Sequence, residues 1–295
     1  MISIIISSQN ERVLVKVKQS IHDTIGIPYE IIAIENSNGR MGICHAYNEA
    51  ASKAIYDIFC FMHEDISFET KEWGQKVVNY LQDKKIGLLG VAGGDTKGLP
   101  PSTWSSSVFQ SEISIIQHYK NKDQPFQVFN RTGYPEDKST IKEVVCIDGV
   151  WMCTRRDVFD KYKFDGKTFN GFHGYDIDLS LQVKREYRVC VVFDIIMHHY
   201  SEGSYNRTWM KSTIDMSEKW KDTLPLSVRN LSRQQYVTQH WSAMGIFLKK
   251  LKILEYSFPT RMKYLLKYSC NRFFHFRHFM HVLRLQLFEK PGSDQ

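Results

Sequence analysis

From residue 1 to about residue 200, short apolar, β-branched runs alternate with longer segments in which apolar and polar residues are mixed. The runs ISIIIS, YEIIAIE, IFCFMH, IGLLGVAG, EVVCIDGVWMC and RVCVVFDIIMHH have the length and composition of strands. Between the first three lie RVLVKVKQSIHDT and GICHAYNEAASKAI, whose apolar residues recur at helical spacing. Strand, helix, strand, helix, strand is the pattern of a parallel sheet with helices on its faces. Several of the strands are apolar at both alternating positions, as strands buried between helix layers are. Right-handed crossovers then bring their C-terminal ends to one edge, where open sheets of this kind bind ligands near a topological switch point.

Residues 93–140 interrupt this pattern. The segment is rich in Gly, Pro, Ser and Thr with little periodicity, which predicts an irregular excursion over the site. After about Asp215 the spacing becomes helical, in AMGIFLKKLKILEYSF and TRMKYLLKYSCNRFFHFRHFMHVLRLQLF. We therefore expect an α/β domain over residues 1–215 and a helical extension over residues 216–295. No internal repeat or low-complexity tract is present.

Composition narrows the class. With 295 residues, 42% hydrophobic and 24% charged, the chain is ordinary globular protein and not a disordered one. MISIIISSQN lacks a basic n-region and a small-residue cleavage site, so it reads as a strand and not as a signal peptide. No apolar run approaches the roughly 18 residues that span a bilayer, and a cytoplasmic protein is expected. The six cysteines are scattered without a C-x-x-C spacing, as reduced packing residues are. The formal net charge of +7 is uneven: residues 226–295 carry 12 Lys/Arg against 3 Asp/Glu. From about Arg261 to Leu287 those cations alternate with Tyr, Phe, Leu and Met at helical spacing. Such a helix either lies on anionic lipid or packs on the domain with its charges in water. No nucleic-acid motif accompanies it. Dinucleotide and P-loop glycine motifs are missing as well, and Ser105–Ser107 has no nucleophile-elbow context.

Three polar clusters fall where the sheet edge is expected. The strand run IFCFM ends in His63-Glu64-Asp65, side chains able to hold a hard divalent cation together with substrate phosphates, or simply to form a turn. FNGFHGYDIDLSLQVKREY places Asp176 and Asp178 at a helix start, where carboxylates also cap and favour the dipole. A last strand ends in His198-His199, adjacent imidazoles that point to opposite faces. Between Asp148 and the TRRDVFDKY segment lies Trp151, which the sequence alone reads as a core residue.

In this order the clusters resemble the family 2 glycosyltransferases, whose fold is the nucleotide-diphospho-sugar-binding α/β fold called GT-A, a mixed, mainly parallel sheet flanked by helices. The resemblance covers about residues 1–205. It implies that Ser8 and Asn10, after the first strand, help bind the nucleotide, and that Glu35 accepts a hydrogen bond from its base, as suits an uracil N3–H. It implies that Arg40 and Asn48 contact the nucleotide or its phosphates. The family's Asp-x-Asp motif corresponds to His63-Glu64-Asp65, with Asp65 as the direct ligand of Mn2+ or Mg2+, His63 in the altered first position, and Glu64 beside the nucleotide. Its Glu-Asp pair becomes Tyr175-Asp176, which selects Asp176 as general base, and its metal-binding histidine maps to His198 or His199. Asp148, Trp151 and Asp178 then face the acceptor.

These roles imply an inverting, metal-dependent transfer from a sugar nucleotide, of UDP type, to a hydroxyl of a glycan or lipid-linked acceptor, as in bacterial-type surface glycan or glycolipid synthesis. The partners implied are the sugar nucleotide, that acceptor and an anionic membrane surface, with no nucleic acid. The alternative is a non-catalytic sugar-nucleotide or glycan-binding protein on the same fold.

Overall fold

The computed structural model describes residues 1–105, 108–109, 111–119, 126–132, 139–203 and 205–288. Its main sheet has seven strands, in the order Ile141–Val144, Arg188–Val192, Ile86–Gly90, Trp151–Arg155, Ile58–Met62, Ile2–Ser8 and Tyr29–Glu35. Three of the six pairings are parallel, and the strand Trp151–Arg155 runs against both of its neighbours. Its start therefore meets the C-terminal ends of Ile58–Met62 and Ile2–Ser8 at one edge.

Side-chain alternation divides the core between the two faces of the sheet. Ile5, Phe59, Phe61 and Met152 pack with the helices Ile43–Lys53 and Tyr175–Val183. Ile4, Ile6, Cys60 and Met62 pack on the other face with Glu11–Thr24 and Trp73–Gln82. The helix Glu11–Thr24 starts where the Asn10 side chain accepts the amides of Arg12 and Val13, and it buries Val17 and Ile21. Five cysteines are buried and Cys270 is exposed.

A second sheet stands at the ligand edge, in the order Cys146–Ile147, Ala92–Gly94, Glu112–Tyr119, Met197–His199 and Ile66–Phe68, with Phe126–Thr132 paired to Glu112–Tyr119. Residues 93–140 are thus not an irregular excursion in their described part. EISIIQHY is an eight-residue strand that joins the cleft wall to His198 and His199. Single apolar runs of the sequence supply both sheets: EVVCIDGVWMC bends at Val145 and again at Asp148-Gly149, and RVCVVFDIIMHH bends after Val192.

The expected boundary after residue 215 falls inside the helix Arg207–Lys219. Met210 of that helix packs with the C-terminal helices and Met216 with the main core, so the helix belongs to both units. The extension comprises Arg233–Ile253, Phe258–Ser269 and Phe276–Phe288, around Trp241, Met244, Phe247 and Tyr268. The helical stretch expected from Arg261 to Leu287 is broken because Asn271 turns the chain, donating to Tyr268 O and accepting from Phe273 N. The indole N–H of Trp241 holds that turn through Phe273 O at 3.0 Å. Among the described residues, no helix is long and apolar enough to cross a membrane.

Candidate active site

A cleft of about 1440 Å³ opens at the common edge of the two sheets. Its floor carries His63, Glu64 and Asp65 from the end of the strand Ile58–Met62, and Asp148 to Val150 from the bend before Trp151–Arg155. Asp176 enters from the first turn of the helix Tyr175–Val183, and His199 from the second sheet. The backbone locks these pieces in register, for His63 N donates to Val150 O at 3.0 Å.

His63, Asp65 and His199 each offer one ligand atom, and the three atoms lie within 4.8 Å of one another. Nδ1 of His63 and Nε2 of His199 are both 3.8 Å from Oδ1 of Asp65. Hydrogen bonds to the far nitrogens fix both tautomers. Tyr175 donates its hydroxyl proton to Gly149 O at 3.2 Å, so its oxygen accepts from Nε2–H of His63 at 2.9 Å, and Nδ1 keeps its lone pair. The amide nitrogen of Gln117 donates to Ser201 O and His118 O, so its Oε1 accepts from Nδ1–H of His199 at 2.9 Å, and the Nε2 lone pair accepts the Ser201 hydroxyl at 3.1 Å, a bond that a cation would displace. Two imidazole lone pairs and a carboxylate converge, and each imidazole is oriented from behind as metal-ligating histidines are. Burial, with the neighbouring His63, pushes the His199 imidazole below its ordinary value, which also favours the neutral ligand form. The residues fit a divalent cation of the manganese type, for which nitrogen and oxygen ligands together are suitable.

Beside the trio stand two carboxylates. Asp148 accepts the indole N–H of Trp104 at 2.6 Å and Val150 N at 2.8 Å. Asp176 accepts Gly149 N at 3.1 Å. Burial first, and the Asp148 charge second, push the Asp176 carboxyl up to about 7. A carboxylate near neutrality in its proton affinity, on the cleft wall, is placed to take a proton from a bound hydroxyl. Gly149 is required here, because a Cβ would lie 2.1 Å from the Tyr175 hydroxyl.

Several residues singled out in the sequence serve the scaffold. Glu64 accepts Ser8 Oγ at 2.7 Å and the amides of Gln9 and Asn10 at 3.0 and 3.1 Å, so Glu64 and Ser8 tie the first turn to the third strand of the sequence. Asn10 caps a helix. Glu35 accepts Ser37 N and faces Arg40 at 3.8 Å, both exposed, while the adjacent Asn36 lines the cleft. Asn48 lies away from the cleft, clasping both backbone groups of Phe164. Trp151 is not an acceptor platform: it is fully buried against Trp73. Asp178 is likewise buried and bonded to Lys219, Trp220 and Gln182. His198 points to the opposite side of its strand, where it meets His118 at 2.8 Å and Glu69 at 3.1 Å. Of the two adjacent histidines, His199 is the one in the cleft. Sequence reasoning overlooked Trp104 and Gln117, and read Tyr175 only as a departure from a motif.

The fold is of the GT-A class. It is similar to the crystal structure of GalNAc-T7 with UDP, GalNAc and Mn2+, with a TM-score of 0.53 at 11% identity over 99% of this chain. The chain spans 58% of the length of that one. S. aureus TarS 1-349, in complex with UDP-GlcNAc, is a more distant match, with a TM-score of 0.44 at 12% identity over 98% of this chain and 76% of that one. No curated protein sequence matches the chain. A family model described as glycosyltransferase-like matches residues 3–223, three quarters of the sequence. The chain belongs to that glycosyltransferase-like family.

Proposed function

We propose that the protein moves a sugar from a nucleotide-diphospho-sugar to an acceptor hydroxyl, with inversion at the anomeric carbon and with a divalent cation held by His63, Asp65 and His199. One observation carries the reading. Among the described residues lining the cleft, five are carboxylates, Glu64, Asp65, Asp148, Asp176 and Glu202, and Lys16 is the one Lys or Arg. A diphosphate brought into that field is repelled unless a cation accompanies it. Manganese and a uridine diphosphate donor are further supported by the likeness to a fold whose GalNAc-T7 example contains UDP and Mn2+.

When bound, the cation supplies charge neutralisation at the departing diphosphate. The chain's own residues do the rest. Asp176 takes the acceptor proton as the acceptor oxygen attacks the anomeric carbon from the face opposite the leaving group. Asp148 and Gly149 border the space for the acceptor. Glu35 and Arg40 stand beside the wall that would receive the base. Outside the cleft, the C-terminal helices present their excess of Lys and Arg to an anionic membrane surface that would hold a lipid-linked acceptor.

The test is a sugar-nucleotide panel scored by thermal shift with and without manganese, followed by a transfer and hydrolysis assay on each binder. Binding raises the melting temperature, and at a fixed ligand concentration a tighter binder raises it more. The reading requires a uridine diphosphate sugar that stabilises the protein more strongly with manganese and is turned over. Binding without any turnover would leave a non-catalytic sugar-nucleotide-binding protein.

A further inference from the structure

Tyr205, between the strand Met197–His199 and the helix Arg207–Lys219, lines the cleft with 56% of its surface exposed. Side chains so exposed ordinarily exchange rotamers freely. This ring is held instead: Nζ of Lys250 lies 3.4 Å from its centroid and 4.5 Å from that of Trp209, and Trp209 meets Tyr205 edge-on at 4.9 Å. Trp209 also lines the cleft, and its place is set by the helix start, where the Asn206 side chain accepts Trp209 N at 2.9 Å. A cation within about 6 Å of an aromatic centroid is attracted to the ring face. Burial lowers the Lys250 ammonium to about 8, a cost that the two rings help to offset. Lys250 belongs to the helix Arg233–Ile253, so the C-terminal extension holds part of the cleft wall.

Tyr205 stands on the acceptor side. Its phenol is pushed up, by burial first and by the Asp148 charge second, so it lies within the field of that carboxylate. The other exposed rings among the described cleft residues have partners elsewhere, Phe172 beside His63 and Tyr200 on His118. The same cleft carries the carboxylates of Asp148, Asp176 and Glu202. A ring face offers apolar contact, and ionised carboxylates accept hydrogen bonds without donating any. An alkyl chain here would desolvate those carboxylates and return no hydrogen bond, and a phosphate would be repelled by them. A pyranose meets both demands: its C–H groups make one face apolar, and the hydroxyls around its rim are donors.

Resting on the reading of the cleft as a glycosyltransferase site, we propose that Tyr205 binds the acceptor by stacking on the face of its terminal pyranose, with Lys250 as the positioning residue that holds the ring. The acceptor is then a sugar-terminated molecule, and the hydroxyl that attacks is one of that pyranose's own. Through Lys250 the C-terminal extension takes part in recognising it.

Saturation-transfer NMR on the full chain with magnesium and UDP reads this without turnover. The probes are the methyl β-glycosides of glucose, galactose, mannose and N-acetylglucosamine, with dodecyl phosphate as an alkyl competitor that carries no sugar. At least one glycoside should bind, with saturation strongest at its ring C–H protons, and dodecyl phosphate should not displace it. Tyr205→Ala should weaken that glycoside about tenfold, whereas Tyr205→Phe, which keeps the ring, should stay within about twofold of wild type. Lys250→Met should also weaken it, and Lys250→Arg, which restores a cation over the rings, should recover it. This second pair supplies the test if Tyr205→Ala does not fold, as judged by its melting temperature. Affinity for UDP with manganese, measured by calorimetry, should be the same in all four variants, which a general loosening of the cleft would not allow. Wild-type glycoside affinity in Tyr205→Ala overturns the proposal, as does a wild type that binds no glycoside or releases it to dodecyl phosphate. Wild-type affinity in Lys250→Met overturns the part given to Lys250. Failure of the transferase reading looks different: sugar nucleotides are then neither bound nor turned over, while a glycoside still binding through Tyr205 leaves the platform in place on a glycan-binding protein.

Discussion

Asp65 is the carboxylate on which two imidazole lone pairs converge, at 3.8 Å each. Asp65→Asn keeps the volume and removes the charge, so metal-dependent transfer should vanish while the fold stays intact, as judged by circular dichroism and melting temperature. Full activity in manganese would remove Asp65 from the site. His63→Ala should lower manganese affinity, since it deletes one of the three proposed ligands and also frees the Tyr175 hydroxyl. For Asp176→Asn we expect turnover lower by roughly two to four orders of magnitude, the usual share of a general base, with the sugar-nucleotide affinity nearly unchanged. The same variant carries a stability signature. A carboxyl whose proton affinity is raised by folding contributes stability below its unfolded-state pKa and loses it as pH rises through the folded value, here about 7. Asn does not ionise, so Asp176→Asn should melt higher than wild type at pH 8, and the gap should close toward pH 4. Asp178→Asn leaves Lys219 without its buried partner and should destabilise by about 1–3 kcal/mol with no change in proton affinity at Asp176. At this scale the sequence was legible in part. Asp65, His63, Asp176 and Asp148 are found in the cleft because strand ends and helix starts can be read from apolar runs. Which of His198 and His199 enters it depends on a one-residue strand register that those runs leave open. Trp151 and Asp178 are displaced into the core for a related reason: their neighbours in space, Trp73 and Trp220, are distant in sequence.

Among the elements, the first turn and the third strand of the sequence are joined by one side chain. Glu64 satisfies Ser8, Gln9 and Asn10 together. Glu64→Ala leaves a hydroxyl and two amides without that acceptor, and should lower stability by about 1–3 kcal/mol, read as a shift of the urea midpoint at constant slope. If the midpoint does not move, water replaces the carboxylate and the turn is held by other bonds. The main-sheet strands follow from β-branched runs of four to seven residues. Two things escaped that reading. EISIIQHY has the alternation of a strand, but its Gly- and Pro-rich flanks hid it among loop residues. The long runs EVVCIDGVWMC and RVCVVFDIIMHH look continuous because a bend between two buried sheets needs no polar residue when both sides stay covered.

The whole molecule is electrically lopsided. Residues 226–295 hold a net +9 and residues 1–225 a net −2. Exposed apolar side chains, including Leu266, Phe276 and Phe288, stand on the same C-terminal helices. A surface that is both cationic and apolar suits anionic lipid. Flotation with liposomes should recover the protein with vesicles containing phosphatidylserine and not with neutral ones, and salt should release it. Equal recovery with neutral vesicles, or none with either, would make the extension a structural cap. The charge imbalance is plain in the sequence, whereas the break at residues 270–275 is set by Trp241 and Asn271 acting across the extension. The two sheets that wall the cleft share their chain: one residue separates Gly90 from Ala92 and Val144 from Cys146, and three separate Ile147 from Trp151. Any rotation of one wall against the other would have to be absorbed in these few residues, all of them next to buried strands. The opening between them should therefore act as a gauge of set width, and a sugar nucleotide is expected to enter it without changing the spacing of its walls.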